Sequence, residues 1–424
     1  MMKRALRLPA HFKILPSREV SLQGIERMNV AAGVPLYLVS GGNEPVFKLE
    51  LLFRAGKLFE ENHNAASATA AQMTEGTVKM ASPVVAEALE YYGATVRCYA
   101  SPDTLTLSVH AMTRFAGPVF DLVHDILLQP AFSTEDLQLY QKKKIQRYKI
   151  GQSQNEYLAN RIFSERIFGN THPYGYTSTP EDVMALSPEI LHTHHRTLGS
   201  SCLDVFLAGD TRDGLIEKVR ALLRDLPPGQ LKQPPPYRPV QTTGKFHAAG
   251  PQPHQTSVRI GKEIISRRHR DYPGLFLLNT IIGGYHGSRL IRNLREDKGL
   301  TYNVYSSLES LLESTCFVVT TDANPELRAQ VVSEIYQEIE TLRSQTVGRK
   351  EMEMVKNYIC GNFLMQIDGP FNVVDTIKPL ILHRLPVTYF EEFITQLRSV
   401  SAKKVKSLAE NYLNPQEMVE VVVG

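Results

Sequence analysis

A chain of 424 residues has room for two or three domains, and 42% hydrophobic with 21% charged residues is an ordinary globular composition. A net charge of +3 gives no general attraction for nucleic acid or an acidic membrane surface, and no apolar run approaches the roughly 18 residues of a membrane span. Cys98, Cys202, Cys316 and Cys360 lie far apart without a C-x-x-C pair, which fits a reducing compartment and argues against a disulfide framework or a cysteine zinc site.

The N-terminal stretch MMKRALRLPAHFKILPSR holds five basic residues and no acid before Glu19. It lacks the apolar segment of a secretory signal. An organellar presequence is the lesser reading, and a bacterial-type cytoplasmic protein the preferred one. Strand-like runs VPLYLVSGG and FKLELLFRAG follow. Next comes NAASATAAQMTEGT (Asn64–Thr77), almost devoid of chemistry. Alanine is the best helix former, so a helix is expected over Ala65–Thr74, closed by Gly76. DTLTLSVHAM alternates as a strand does. The basic run KKKIQRYK (Lys142–Lys149) reads as a solvated helix face. No stacking aromatics favour nucleic acid, though a basic lining for a peptide chamber stays open. The cluster HTHH (His192, His194, His195) and the lone His63 are metal candidates, weighed against a solvated helix end. SSCLDVFLAGD closes this half as a strand.

Leu226–Pro253 contains eight prolines in 28 residues. Proline locks φ and removes a donor, so an extended connector is expected. It divides the chain into residues 1–225, the connector 226–253 and residues 254–424. The second half repeats the outline of the first, with strands in QTSVRIGKEI and STCFVVTTDA and an amphipathic helix in ELRAQVVSEIYQEIETL. Its last strand, PQEMVEVVVG, follows the helical VKSLAENYLN as SSCLDVFLAGD follows HTHHRTLG. The expected fold is α+β, with two structurally similar halves, each a mixed sheet covered by helices.

The densest signal is IIGGYHGSRLIRNLREDKGLTYNVYSS (Ile281–Ser307). A glycine turn precedes Ser288, which is placed to cap a helix running to about Lys298. Leu290, Ile291 and Leu294 form its buried face, and Gly299 is the left-handed terminator. Arg295 then falls in the last helical turn and Tyr302 at the start of the next strand, where both can point into one cleft. The turn lacks the lysine of a phosphate-binding loop. Taken alone, an arginine on a helix face and a tyrosine in a core would be the blander reading.

The pattern SRL-x3-LRE-x2-GL-x-Y resembles the second-half signature of the M16 metallopeptidases, which include insulinase, pitrilysin and the mitochondrial processing peptidase. FKLELLFRAGKLFEEN, the EGT of Glu75–Thr77, LEYYGATV, the HPYG of His172–Gly175 and FLAGD fall in that family's order. The resemblance implies a LuxS/M16 metallopeptidase-like fold, and roles in substrate binding and transition-state stabilisation for Arg295 and Tyr302. It also implies an inverted H-x-x-E-H zinc motif on the helix before Gly76–Thr77, with the glutamate as base. Those positions are Ser67, Ala70 and Ala71. The third ligand would fall near Gln146–Tyr148, where no acid occurs between Asp136 and Glu156. The blank helix has lost its chemistry while keeping its packing role.

The expected function is that of a non-catalytic subunit, with no metal or cofactor of its own. It would bind peptide and lend Arg295 and Tyr302 to the zinc site of an H-x-x-E-H-bearing partner in a heteromeric metalloendopeptidase. The alternatives are a purely structural protein, a peptide-binding homodimer without hydrolysis, and an independent zinc enzyme with other ligands. Neither nucleic acid nor membrane is an expected partner.

Overall fold

A computed structural model describes residues 21–22, 24–31, 33–212, 214–230, 232–237, 239–240 and 242–424. The basic N-terminal stretch lies outside these described residues. Side chains alternate between the faces of a strand, and FKLELLF shows this in β3 (Val46–Phe53). Phe47, Leu49, Leu51 and Phe53 enter one core, and Leu52 enters another on the opposite face. The first sheet adds β1 (Ile25–Ala31), β2 (Val34–Ser40), β4 (Thr95–Ala100), β5 (Leu105–Met112) and β6 (Leu203–Gly209), in the order β1-β2-β6-β3-β5-β4. The second contains β7 (Gly244–Ala248), β8 (Thr256–Ile264), β9 (Thr301–Ser310), β10 (Thr315–Ala323) and β11 (Val419–Val423), in the order β7-β11-β8-β10-β9.

With β1 set aside, the sheets are copies of one plan. β2 runs parallel to β6 as β7 runs parallel to β11, and every other pairing is antiparallel. This is the α+β fold of two similar halves that the sequence implied. One expectation needs correction. The stretch GKFHA, read as part of the extended connector, is strand β7 and the counterpart of β2. It lies between Pro239 and Pro251 with its backbone N–H groups intact, so nothing prevents it from joining a ladder.

The helices of the first half are α1 (Ala65–Met73), α2 (Ser82–Tyr91), α3 (Ala116–Leu128), α4 (Thr134–Gln152), α5 (Asn155–Phe168), α6 (Pro180–Met184), α7 (Pro188–His195) and α8 (Leu215–Leu222). Those of the second are α9 (Tyr272–Ile282), α10 (Arg328–Ser344), α11 (Arg349–Gln366), α12 (Pro370–Leu382), α13 (Tyr389–Ser399) and α14 (Ala402–Tyr412). Two of them cross over. From the first half, α5 lays Ala159, Phe163 and Ile167 on Val318, Val419 and Val421 of the second sheet. From the second half, α12 lays Val373, Val374 and Ile377 on Tyr37, Val39 and Phe206 of the first. Each such buried Val, Ile or Phe side chain contributes about 1.5–3 kcal/mol.

Charges fix both crossings. Lys48 and Glu50, on the α12 side of β3, meet Asp375 and Lys378. The contacts are Lys48–Asp375 at 2.7 Å, Lys378–Asp375 at 2.6 Å, Lys378–Glu50 at 2.5 Å and Lys48–Glu50 at 3.4 Å. On the second sheet, Arg259 of β8 is only 1% exposed. It donates to Asn160 Oδ1 at 2.6 Å and to Glu156 Oε1 at 3.3 Å, both on α5.

Candidate functional site

The helix expected over Ala65–Thr74 is α1, ending at Met73 with Thr74 as its C-terminal cap. Ala65, Ala66, Ala68, Thr69, Ala70, Gln72 and Met73 are buried, while Ser67 and Ala71 are half-buried one turn apart. Small side chains let α1 pack closely on α7, β4 and α4. Glu60 caps its N-terminus, with Oε1 accepting from Asn64 N and Oε2 from Ala66 N, both at 3.0 Å. The carboxylate thus satisfies amides that have no partner within the helix. Burial raises the Glu60 pKa and lowers those of neighbouring Lys57 and Lys144.

The residues present do not fit a zinc ion. Methyl groups at Ala70 and Ala71 donate nothing. The Ser67 hydroxyl is a poor substitute for imidazole, and α4 offers Gln146, Arg147 and Tyr148 where a carboxylate would be required. Among the described residues, no group of three or more His, Cys, Asp or Glu side chains is arranged to hold a metal.

The HTHH cluster has a different role from the solvated helix end expected of it. His194 is buried and its Nε2–H donates to Ala55 O at 3.0 Å. His195 Nε2–H donates to Leu127 O at 2.8 Å, and His192 packs edge-on against Phe132. These rings bind α7 to its surroundings. His63 stacks on Tyr176 with centroids 3.7 Å apart.

Burial pushes the His194 pKa down to about 4. An unfolded histidine titrates near 6.5, so between these values the unfolded chain takes up the proton first. The histidine's contribution is complete above pH 6.5 and is lost as pH falls towards 4. Its slope reaches at most about 1.4 kcal/mol per pH unit. His383, also buried and lowered to about 4, acts in the same direction. Urea midpoints measured from pH 7.5 down to 4.5 should decline, and less steeply in His194→Gln; parallel profiles would contradict this account.

In the second half, Ile281–Ser307 builds a projecting corner. Leu290, Ile291 and Leu294 are buried as expected. The last turns, Ile291–Asp297, form a π-helix rather than an α-helix, and Leu300 N closes it on Leu294 O at 2.7 Å. Gly299 adopts φ +61°, the left-handed turn that returns the chain to β9. Ser288 does not act as the expected cap. Its buried hydroxyl has no hydrogen-bond partner among the described residues, and the helix start is held instead by Arg289, which forks onto Glu351 with two 2.9 Å bonds. Asn293 donates to Glu334 and Glu338 of α10. On this pinned base Arg295 and Tyr302 come together, with the guanidinium carbon 5.1 Å from the ring centroid. Both face solvent, Tyr302 at 85% exposure. Tyr302 is the second residue of β9, which among the described residues pairs only with β10 and so is an edge of the second sheet; β4 is the corresponding edge of the first.

Sequence reasoning did not identify the role of HPYG. Tyr174 OH donates to Asp103 Oδ1 at 2.5 Å, and Asp103 Oδ2 accepts from Leu312 N at 3.0 Å. The loop therefore ties the β4–β5 turn of one half to the β9–β10 turn of the other. A Cβ at Gly175 would lie 2.0 Å from Gly169 O, so only glycine fits there. Asp103 lies in the run DTLTLSVHAM, but nothing in that pattern marks its partner.

Fold and site together describe two similar α+β halves in which helix α1 carries no metal ligands. The description "Peptidase M16 inactive domain" matches residues 187–359. An uncharacterized zinc protease of Mycobacterium leprae is 24% identical over 346 residues, covering 78% of this chain and 76% of that protein. A "non-peptidase homolog" of Helicobacter pylori is 19% identical over 402 residues, covering 93% and 92%. The solved structure of a peptidase M16 inactive domain from Pseudomonas fluorescens shares the fold, with a TM-score of 0.84 and 23% identity over 94% of this chain and 98% of that one. By these likenesses the chain is similar to M16 peptidases, and it carries Ser67, Ala70 and Ala71 where the inverted H-x-x-E-H motif would lie.

Proposed function

We propose that this protein is a non-catalytic M16-like subunit. It binds peptide and supplies Arg295 and Tyr302 to the zinc active site of an H-x-x-E-H-bearing partner chain in a heteromeric metalloendopeptidase. The observation that carries this reading is the pair itself. An arginine and a tyrosine sit on a rigid base, stacked on each other and turned to solvent, with no packing role in their own chain. Zinc bound by the partner's H-x-x-E-H residues would provide an activated water. This chain's residues hold the peptide: the edge strand offers backbone hydrogen bonds, Arg295 grips carbonyl or carboxylate oxygens, and the Tyr302 hydroxyl donates to the developing oxyanion. A homodimer and a cytoplasmic location are compatible with this reading. Among the described residues, no helix is long and apolar enough to cross a membrane.

The test is reconstitution. Adding this chain to the partner should switch on peptide cleavage that neither performs alone, and a partner fully active by itself would sink the proposal. A purely structural or peptide-binding role without hydrolysis would then remain, a reading favoured by the non-peptidase name of the Helicobacter relative.

The chain alone should purify without stoichiometric zinc. Installing Ser67→His, Ala70→Glu and Ala71→His should create no peptidase, because α4 still lacks the third carboxylate. It should instead lower stability, since Ala70 is 1% exposed and a glutamate there buries a charge. Elemental analysis and urea denaturation check both; one zinc per chain with chelator-sensitive cleavage would overturn the account.

A further inference from the structure

A cavity of about 390 Å³ opens among the helices of the second half, away from the Arg295–Tyr302 corner. Its walls are aromatic. Phe276 of α9 lies 6.0 Å from Phe363 of α11 in a stacked arrangement and 5.5 Å from Phe393 of α13 in an edge-on one. Leu380 and Thr376 of α12 form the side nearest the first half. The volume is that of an ordinary small-molecule pocket, and ring faces and edges are the surfaces such pockets use.

One wall is cationic. Arg267 lines the cavity with its guanidinium 5.8 Å from the Tyr272 ring centroid. Among the described residues its buried Nε–H has no acceptor and its guanidinium makes no ion pair. Two acids near the cavity are already engaged, and Glu392 of α13 lies on the Tyr389 side. Asp271 is held by Lys404 at 2.7 Å and by the Tyr412 hydroxyl. Asp375, across the cavity, is held by Lys48 and Lys378. Arg268 donates to His383 O, and the buried His383 is kept neutral. His269 and Arg270 continue the basic run. The result is a cation without an ion-pair partner among the described residues, beside a largely apolar, ring-lined space.

We propose that this cavity is a binding site for a small aromatic carboxylate, with its ring among Phe276, Phe363, Phe393 and Leu380 and its carboxylate on Arg267. The assignment is independent of the peptide site. Because α12 forms one wall and covers the first sheet with its opposite face, an occupant also steadies the seat between the halves.

The test uses the full chain and three probes: indole-3-propionate, its primary amide and hexanoate. Titration calorimetry should show the acid binding at least about 10-fold more tightly than the amide, the discrimination expected of a charge-assisted pair. The acid should also raise Tm. Arg267→Gln, checked for folding by circular dichroism, should bind acid and amide alike. Equal affinity of acid and amide for the unaltered protein overturns the proposal without recourse to any variant. Discrimination retained by Arg267→Gln, or no binding of the acid at about 5 mM, also overturns it, since a pocket of this size and lining should hold a fitting ligand at that concentration. Hexanoate binding as tightly as the indole acid refutes the aromatic assignment.

Discussion

Tyr302→Phe should lower turnover of the reconstituted complex by roughly 10²-fold, while assembly and the partner's zinc content stay unchanged. The ring is 85% exposed, so removing one hydroxyl disturbs no packing, and its stacking on Arg295 needs only the ring. A surface change of this kind leaves stability within about 0.5 kcal/mol. The loss must therefore come from the transition state, where one oxyanion donor is typically worth about 10²–10³ in rate. Arg295→Ala should raise KM as well as lower kcat, because a guanidinium also grips substrate in the ground state. A Tyr302→Phe complex with undiminished turnover would remove the shared site and leave the scaffold role.

Lys378→Met should cost about 3–5 kcal/mol of stability, the usual penalty for stranding a buried ion. Glu50 is 2% exposed, and Lys378 approaches it at 2.5 Å against 3.4 Å for Lys48. Without Lys378, water has little access to Glu50, and one lysine must serve both Glu50 and Asp375. The double variant Lys378→Met with Glu50→Gln should recover part of the loss, because the stranded charge goes with its partner. Urea denaturation of the three proteins measures this. A single-variant cost below about 1 kcal/mol would show the quartet to be solvated, like an exposed pair.

Much of this architecture was legible in the sequence because period-2 and period-3.6 patterns report local burial. The first and second sheets, the blank helix α1, the terminating Gly299 and the Arg295–Tyr302 corner all follow from such patterns and from the family resemblance. What was missed depends on contacts between segments distant in sequence. Lys48 and Glu50 alternate with apolar neighbours and read as ordinary outward residues; only the crossing of α12 buries them. Asp103 and Tyr174 are unremarkable until the Leu311–Ser314 turn lies against them. His194 reads as solvated because the sequence does not show Ala55 O beneath it. Strand β7 was masked by the prolines on either side, which dominate composition but leave five residues free to pair. The Ser288 hydroxyl fits a capping pattern, yet the wide π-helix places it without an acceptor.

The reciprocal crossing of α5 and α12 has a consequence for how the chain acquires its structure. When the first half has been synthesised, the outer face of its sheet, with Tyr37, Val39 and Phe206, has no cover until residues 373–377 emerge. Some 170 residues separate β6 from that point, which at ribosomal speeds is roughly 10–30 s of exposed apolar surface. In turn, α5 waits for β11, made about 250 residues later. Such long-range closure slows folding. Neither half is a complete folding unit, so separately expressed halves should aggregate, whereas co-expression should let each provide the helix the other lacks.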